Sequence, residues 1–199
     1  MLEGHGSGRV GAAESDAVLA ARAAGGDQAA YAALVKRHLP RVLALTRRML
    51  GNDAAAEDAA QEALLRLWTH AGSYDASRAL LTTWLTRIAT NVCLDRLRKR
   101  QEEPWDDSYD LPAGPSQEQA IEERQLAERV DAALRALPDR QRLALVLCHY
   151  EELSMAEAAG MMETSIEAVE SLLGRARRNL KQSLASEWRG LLADGAGGE

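Results

Sequence analysis

Apolar residues recur along most of this chain at the spacing of an amphipathic helix, and no run alternates convincingly at the period of a strand. Gly51-Asn52 and Gly72-Ser73 mark two helix ends. Side chains that can cap a first turn precede several periodic segments, namely Asp27, Asp53, Asp139, Ser154 and Ser165. The pattern predicts helices over residues 27–50, 53–70, 79–100, 118–136, 139–151, 154–162 and 165–186. The predicted fold class is all-α.

An acidic, proline-rich stretch divides the chain. Pro104, Pro112 and Pro115 fall close together, and residues 102–131 carry ten acidic side chains against two arginines. Because proline removes helical hydrogen bonds, we expect two small helical domains joined by a flexible acidic linker. The predicted organisation is a flexible N-terminal segment over 1–25, a domain over 26–100, the linker over 101–117, a domain over 118–186 and a tail over 187–199.

Composition narrows the class of protein. The chain of 199 residues is 46% hydrophobic and 27% charged, which is typical of a soluble globular protein. No apolar run approaches the roughly 20 residues that span a bilayer, and the first eleven residues do not form a secretory signal peptide. Cys93 and Cys148 lack a CxxC spacing, and the four histidines lack a metal-ligand spacing. We expect a cytoplasmic protein with no membrane insertion, metal or cofactor.

Charge is segregated along the chain although the net charge is only −6. Residues 36–48 carry five bases and no acid, residues 53–62 carry four acids and no base, and residues 96–100 are basic. Such blocks are usually solvated faces. Their alternation suggests a protein that binds a polyanion and also meets a protein partner.

Residues 154–186 have the pattern of a helix-turn-helix, whose second helix enters the major groove of DNA. Five apolar positions form its predicted buried stripe, namely Ile166, Val169, Leu173, Ala176 and Leu180. The opposite side carries Glu167, Ser171, Arg175 and Arg178, and arginine is suited to guanine edges. An ordinary amphipathic helix with a solvated basic face is the alternative at this point. Three residues oppose DNA binding. Glu163 stands where a helix-turn-helix commonly has Gly, and Glu167 and Glu170 bring negative charge close to phosphates, unless they read a cytosine N4 donor or pair with an arginine.

Two faces stand out in the first domain. Trp84, Arg87, Asn91 and Arg98 share one side of the predicted 79–100 helix, where they could stack and hold an unpaired base. The alternative is that Trp84 belongs to the core and the arginines are solvated. The 53–70 helix has an acidic face formed by Glu57, Asp58, Gln61 and Glu62, with no neighbouring His, Lys or Cys for acid–base or metal chemistry. A docking surface for a basic partner is the better interpretation.

These segments, in this order, resemble the extracytoplasmic-function (ECF) sigma factors of bacterial RNA polymerase over residues 26–186. Residues 56–68, AEDAAQEALLRLW, look like region 2.2, and residues 83–91, TWLTRIATN, followed by Asp95 and Arg96, look like regions 2.3 and 2.4. Residues 136–142, ALPDRQR, open a segment similar to region 4. The chain departs from the family pattern at Leu64, where Phe is expected, at Glu163, where Gly is usual, and at Glu170 and Leu172, where Lys or Arg is frequent.

The resemblance implies a sigma factor with no catalysis of its own, held inactive by an anti-sigma factor. Its implied partners are core RNA polymerase, through the β′ clamp helices and the β flap, and promoter DNA. The implied polymerase-binding residues are Glu57, Asp58, Gln61, Glu62 and Trp68. Those implied for the melted −10 element are Trp84, Arg87, Asn91, Arg96 and Arg98, and those for the −35 element are Ser165, Glu167, Ser171, Arg175 and Arg178.

Two other functions stay open from the sequence. A sigma-like decoy could sequester an anti-sigma factor without activating promoters, which the acidic residues of the recognition helix slightly favour. A conventional operator-binding regulator could use the helix-turn-helix alone, but this leaves the first domain unexplained. An enzyme is the least favoured class, because the sequence presents no nucleophile–base pair, phosphate loop or metal cluster.

Overall fold

The computed structural model describes residues 14–102 and 129–194, and every regular element in those ranges is helical. A 3-10 turn at Ala71–Ser73 follows the third helix, and a π-helical turn at Val146–Tyr150 continues the sixth. The prediction of an all-α fold is confirmed. The helices are α1 (Asp16–Ala24), α2 (Gln28–Leu50), α3 (Asp53–His70), α4 (Leu81–Glu102), α5 (of which residues 129–135 are described), α6 (Asp139–Leu145), α7 (Met155–Met161) and α8 (Ile166–Asp194).

Three of the predicted helix caps are present. The Asp27 carboxylate accepts from the backbone N–H of Ala29 at 2.9 Å and of Ala30 at 3.1 Å. Ser154 forms a reciprocal capping box with Glu157. The Ser165 hydroxyl oxygen accepts from the N–H of residue 168 at 3.2 Å. Each cap satisfies backbone donors that the first turn of a helix leaves without a partner.

Two predicted caps are wrong by one residue. Asn52 rather than Asp53 caps α3, because its extended backbone lets its side-chain oxygen accept from the N–H of Ala55 at 2.8 Å. Asp139 lies inside the first turn of α6, since Pro138 with φ −52° and ψ 138° occupies the capping position. The Asp139 carboxylate accepts instead from Arg142 at 2.6 Å.

The first helix corrects the expectation of a flexible segment over residues 1–25. Residues 16–24 form α1, which packs against α2 and buries Leu19, Ala20 and Ala23. A nine-residue helix is not stable alone in water, so its presence depends on this packing rather than on its own propensity. The first domain therefore begins before the predicted boundary at residue 26.

The core of the first domain lies between α2, α3 and α4. Large side chains such as Leu34, Leu45 and Leu85 are almost completely buried. The inner face of α3 is made largely of small residues, namely Ala56, Ala59, Ala60 and Ala63, all at most 1% exposed. Small side chains let helix backbones approach closely, which explains how a core without phenylalanine reaches a dense packing.

In the second domain α6 and α7 both pack against α8, and Leu134 of α5, Leu147 and Val169 are buried. The turn between α7 and α8 completes the helix-turn-helix, and Glu163 in that turn adopts a left-handed φ of 49°. The sequence expectation that Ile166 belongs to the buried stripe is wrong, because its side chain is 47% exposed at the start of α8.

No helix in either described range has the length and apolar character needed to cross a bilayer.

Candidate nucleic-acid and protein interfaces

The exposed face of α3 is acidic with an apolar centre. Asp58, Gln61 and Leu65 follow one another at helical spacing and are all exposed, Leu65 to 57%. Glu57 is also exposed and makes an ion pair with Arg47 of α2 at 3.5 Å. Leu65 is not among the residues predicted for docking from the sequence, although its position beside the buried leucines of α3 places it off the core stripe. The combination suits a partner that offers both apolar and basic groups.

Two residues predicted for this face, Glu62 and Trp68, make contacts with other side chains of the same chain. The Glu62 carboxylate accepts from Arg96 of α4 at 3.0 Å and from Arg66 at 2.6 Å. Hydrogen bonding to Arg96, together with the charge of Arg66, lowers the pKa of Glu62. Trp68 is half-buried, and its ring lies 5.0 Å from that of Tyr31. Glu62 therefore joins α3 to α4.

A second face lies along α4. Arg87, Asn91 and Arg98 are exposed on one side of the helix, and Trp84 is half-buried beside them. The Trp84 ring lies 5.5 Å from that of Tyr74, whose hydroxyl donates to the carbonyl of residue 79 at 3.1 Å. This hydrogen bond fixes the loop after α3 beside the two aromatic rings. An unpaired base can stack against such a pair.

Leu80 and Arg96 change the composition predicted for this face. Leu80 directly precedes α4 and is 73% exposed, an apolar group that sequence reasoning did not select. Arg96 lies on a different side of α4, where it donates to the carbonyl of Ala55 at 3.3 Å and to Glu62. The structure thus brings four of the five predicted residues together and gives Arg96 an internal contact.

The third face is the outer side of α8. Glu167, Ser171, Arg175 and Arg178 are all exposed, and the helical period places them within about 80° of one another. Hydrogen bonds from its own backbone N–H and from Ser165 lower the pKa of Glu167. The Glu167 carboxylate thus takes part in capping the helix. The lowered pKa favours the ionised carboxylate, so Glu167 presents negative charge at the start of this face.

The two domains meet at Glu151, which follows the π-helical turn. Its side chain is only 3% exposed, and its carboxylate accepts from Arg41 of α2 at 2.7 Å and from the hydroxyl of Thr86 of α4 at 3.2 Å. Nearby, the Arg48 guanidinium lies 4.1 Å from the centre of the Tyr150 ring. No local pattern predicts these contacts, because the partners are far apart in the chain.

Within the described ranges, no group of three or more His, Cys, Asp or Glu side chains could hold a metal ion.

Comparison with known proteins adds independent information. Residues 34–103 match the family model for Sigma-70 region 2, and residues 127–180 match that for Sigma-70, region 4. The chain is 33% identical over 171 residues to the ECF RNA polymerase sigma factor SigW of Bacillus subtilis, covering 80% of this chain and 91% of SigW. It is 35% identical over 172 residues to the ECF sigma factor SigM of Mycobacterium tuberculosis, covering 85% of each.

Solved structures show the same helical arrangement. The chain resembles CnrH in a complex with the cytosolic domain of CnrY, with 30% identity, a TM-score of 0.63, and coverage of 87% of this chain and 99% of CnrH. It also resembles the sigma factor RpoE of Bartonella quintana, solved with the anti-sigma factor NepR. There the identity is 24%, the TM-score 0.65, and the coverage 78% of this chain and 96% of RpoE, which supports the fold.

Proposed function

Because the chain belongs to the extracytoplasmic-function (ECF) sigma factors, we propose that it binds core RNA polymerase in the cytoplasm and directs promoter-specific transcription initiation. The observation that carries this function is the presence of both sigma regions, in order, over nearly the whole length of an ECF relative. Three separate exposed faces support it. The protein has no reaction of its own and acts by positioning polymerase on DNA.

The face on α3 is proposed to dock on the β′ clamp helices. Asp58 and Gln61 supply polar contacts, Leu65 supplies an apolar anchor, and Glu57 adds negative charge at the edge. Glu62 acts indirectly, because its carboxylate is held by Arg96 and Arg66 and fixes α3 against α4. Region 4 is proposed to contact the β flap.

The face on α4 is proposed to hold the melted −10 strand. Trp84, braced by Tyr74, offers a ring on which an extruded base can stack. Arg87 and Arg98 reach phosphates, and Asn91 can donate to and accept from the edge of a base. Capture of an unpaired base stabilises the open promoter, since the captured base can no longer return to the duplex.

The face on α8 is proposed to read the −35 element in the major groove. Arg175 is suited to the O6 and N7 atoms of guanine, while Ser171 and Arg178 can bond phosphate or base edges. Ser165 and Glu167 shape the start of the helix. An anti-sigma factor is proposed to hold the protein inactive, by analogy with the sigma factor RpoE, which was solved in a complex with the anti-sigma factor NepR. The comparisons favour this function over that of a decoy.

The test combines capture of purified core polymerase with run-off transcription from a pool of promoters of the host genome. We expect the wild-type chain to bind polymerase and to yield promoter-specific transcripts. Asp58→Lys should lose binding, because it reverses an exposed charge on the α3 face. Asp131→Lys makes the same change at an exposed position of α5 and should bind normally. Absence of binding by wild type would refute the function, and normal binding by Asp58→Lys would refute the docking face.

A further inference from the structure

A cleft of about 780 Å³ lies between the two domains, on the side opposite the face of α4 described above. Its walls come from the α2–α3 turn, the C-terminal half of α4, and α5 with α6. The charged side chains that line it are Arg96, Arg100, Arg135, Arg142 and Asp139. Arg96 pairs with Glu62 and Arg142 with Asp139, so Arg100 and Arg135 leave the lining with a positive charge.

Much of this charge lacks a counter-charge in the described part of the chain. Arg142 donates to Asp139 at 2.6 Å and to the backbone carbonyl of Arg135 at 2.8 Å. Its residue is 5% exposed, and its Nε–H has no hydrogen-bond partner among the described residues. The guanidinium groups of Arg100 and Arg135 make no ion pair within those residues. Burial lowers the pKa of Arg142, and the charge of Arg100 adds to this effect, as expected where positive charges converge.

Gly51 lets the side chain of Arg135 in the second domain come close to the α2–α3 turn of the first domain. Its φ is 70°, a left-handed conformation that glycine adopts without strain. A Cβ built at Gly51 would lie 2.4 Å from Cδ of Arg135. Glycine therefore lets the Arg135 side chain lie directly against the α2–α3 turn, and any larger residue would require that side chain to shift.

The cleft is distinct from the proposed single-strand surface. At 100° per residue, Arg96 and Arg100 lie about 150–190° around α4 from the mean direction of Trp84, Arg87, Asn91 and Arg98. A strand that follows the Trp84 face would leave Arg100 on the far side of the helix. The proposed DNA contact on α4 therefore does not account for the basic cleft.

We propose that this cleft binds a small anion carrying linked phosphate groups, such as the diphosphate of a nucleotide. Its main contacts are the guanidinium groups of Arg100 and Arg135, which make no ion pair with another described residue. Guanidinium forks bond phosphate oxygens in pairs, and all the cations of the lining are arginines. The volume is that of an ordinary small-molecule site. Because the ligand touches residues of both domains, its binding stabilises the arrangement in which they are in contact.

The experiment measures binding of inorganic pyrophosphate and of ADP to the full chain by titration calorimetry, together with the shift in Tm. We expect both probes to bind and to raise Tm. Arg100→Ala should weaken pyrophosphate binding about tenfold, the loss expected for one charge-assisted contact. Arg98→Ala is the matched control, because it removes the same charge from an exposed position two residues away on the other side of α4. It should leave pyrophosphate binding unchanged.

Three outcomes would overturn the proposal. Failure of both probes to bind or to shift Tm at millimolar concentration would mean that the cleft is not an anion site. Equal weakening by Arg98→Ala and Arg100→Ala would show general attraction to a basic surface. If Arg100→Ala weakened binding of duplex DNA but not of pyrophosphate, the arginines would belong to a contact with the DNA backbone. None of these results depends on whether the chain activates a promoter.

Discussion

Replacing Glu151 with glutamine tests how the two domains are held together. In the wild-type chain the buried Glu151 carboxylate receives hydrogen bonds from Arg41 and from Thr86, which belong to the other domain. Glutamine has nearly the same shape but no charge, and because Arg41 and Thr86 bond the same carboxylate oxygen, one glutamine oxygen can still accept from both. The change therefore removes the ion pair without leaving a cavity.

The magnitude follows from the exposure of the partners. A hydrogen bond to a charged group contributes about 1.5–3 kcal/mol. The Arg41 side chain is 44% exposed, so its charge regains water when Glu151 is neutralised, and the low end of that range applies. A loss of about 1.5 kcal/mol raises the population of chains with separated domains about tenfold.

Small-angle X-ray scattering on the free protein and urea denaturation measure this effect together. We expect a larger radius of gyration and a lower free energy of unfolding for Glu151→Gln. Glu152→Gln is the matched control, because it removes the same charge from the adjacent, exposed residue. An equal radius of gyration and unfolding free energy for the two variants would refute the reasoning, since it would mean that the buried contact does not hold the domains together.

The remaining predictions concern a helix, an ion pair and a recognition residue. Leu19→Ala should destabilise the chain by about 2–4 kcal/mol in urea, because Leu19 is 3% exposed, whereas Val18→Ala, at a position 48% exposed, should change stability little. The folded-state pKa of Glu62 lies below its ordinary value of 4.5, so the stability advantage of wild type over Glu62→Gln should be constant above that pH and shrink as acid titration proceeds through the lowered pKa. A difference that does not change with pH would contradict the pairing with Arg96. Arg175→Ala should weaken −35 duplex binding in the holoenzyme by about 1–3 kcal/mol without altering thermal stability, and an unchanged −35 preference would exclude a base contact.

Apart from α1, the described helices and their order could be predicted from the sequence, because they depend largely on local information. Helical periodicity and capping side chains such as Asp27 and Ser154 act within a few residues, so both can be recognised in the amino-acid sequence. The same holds for the turn at Gly51, which ends α2 in a left-handed conformation. The order of the recognisable motifs also led from the sequence to the family.

Individual side chains within those helices were less predictable. Glu62 and Arg96 stand in the motifs assigned to polymerase and to DNA, yet they bond each other across the α3–α4 contact. Ile166 has the period of a core residue and is nevertheless 47% exposed at the start of α8. Periodicity identifies the side of a helix, but the packing of other helices decides how far along that side burial extends.

The sequence by itself determined the helical class, the helix-turn-helix and the sigma regions. Only the tertiary structure decided that α1 packs on α2, that Glu151 joins the domains, and that Arg100 and Arg135 meet across one cleft. Those features are contacts between residues far apart in the chain, and each depends on where several helices end and how they cross. No local sequence pattern predicts such contacts, because the free energy that stabilises them comes from packing and from the exclusion of water between helices.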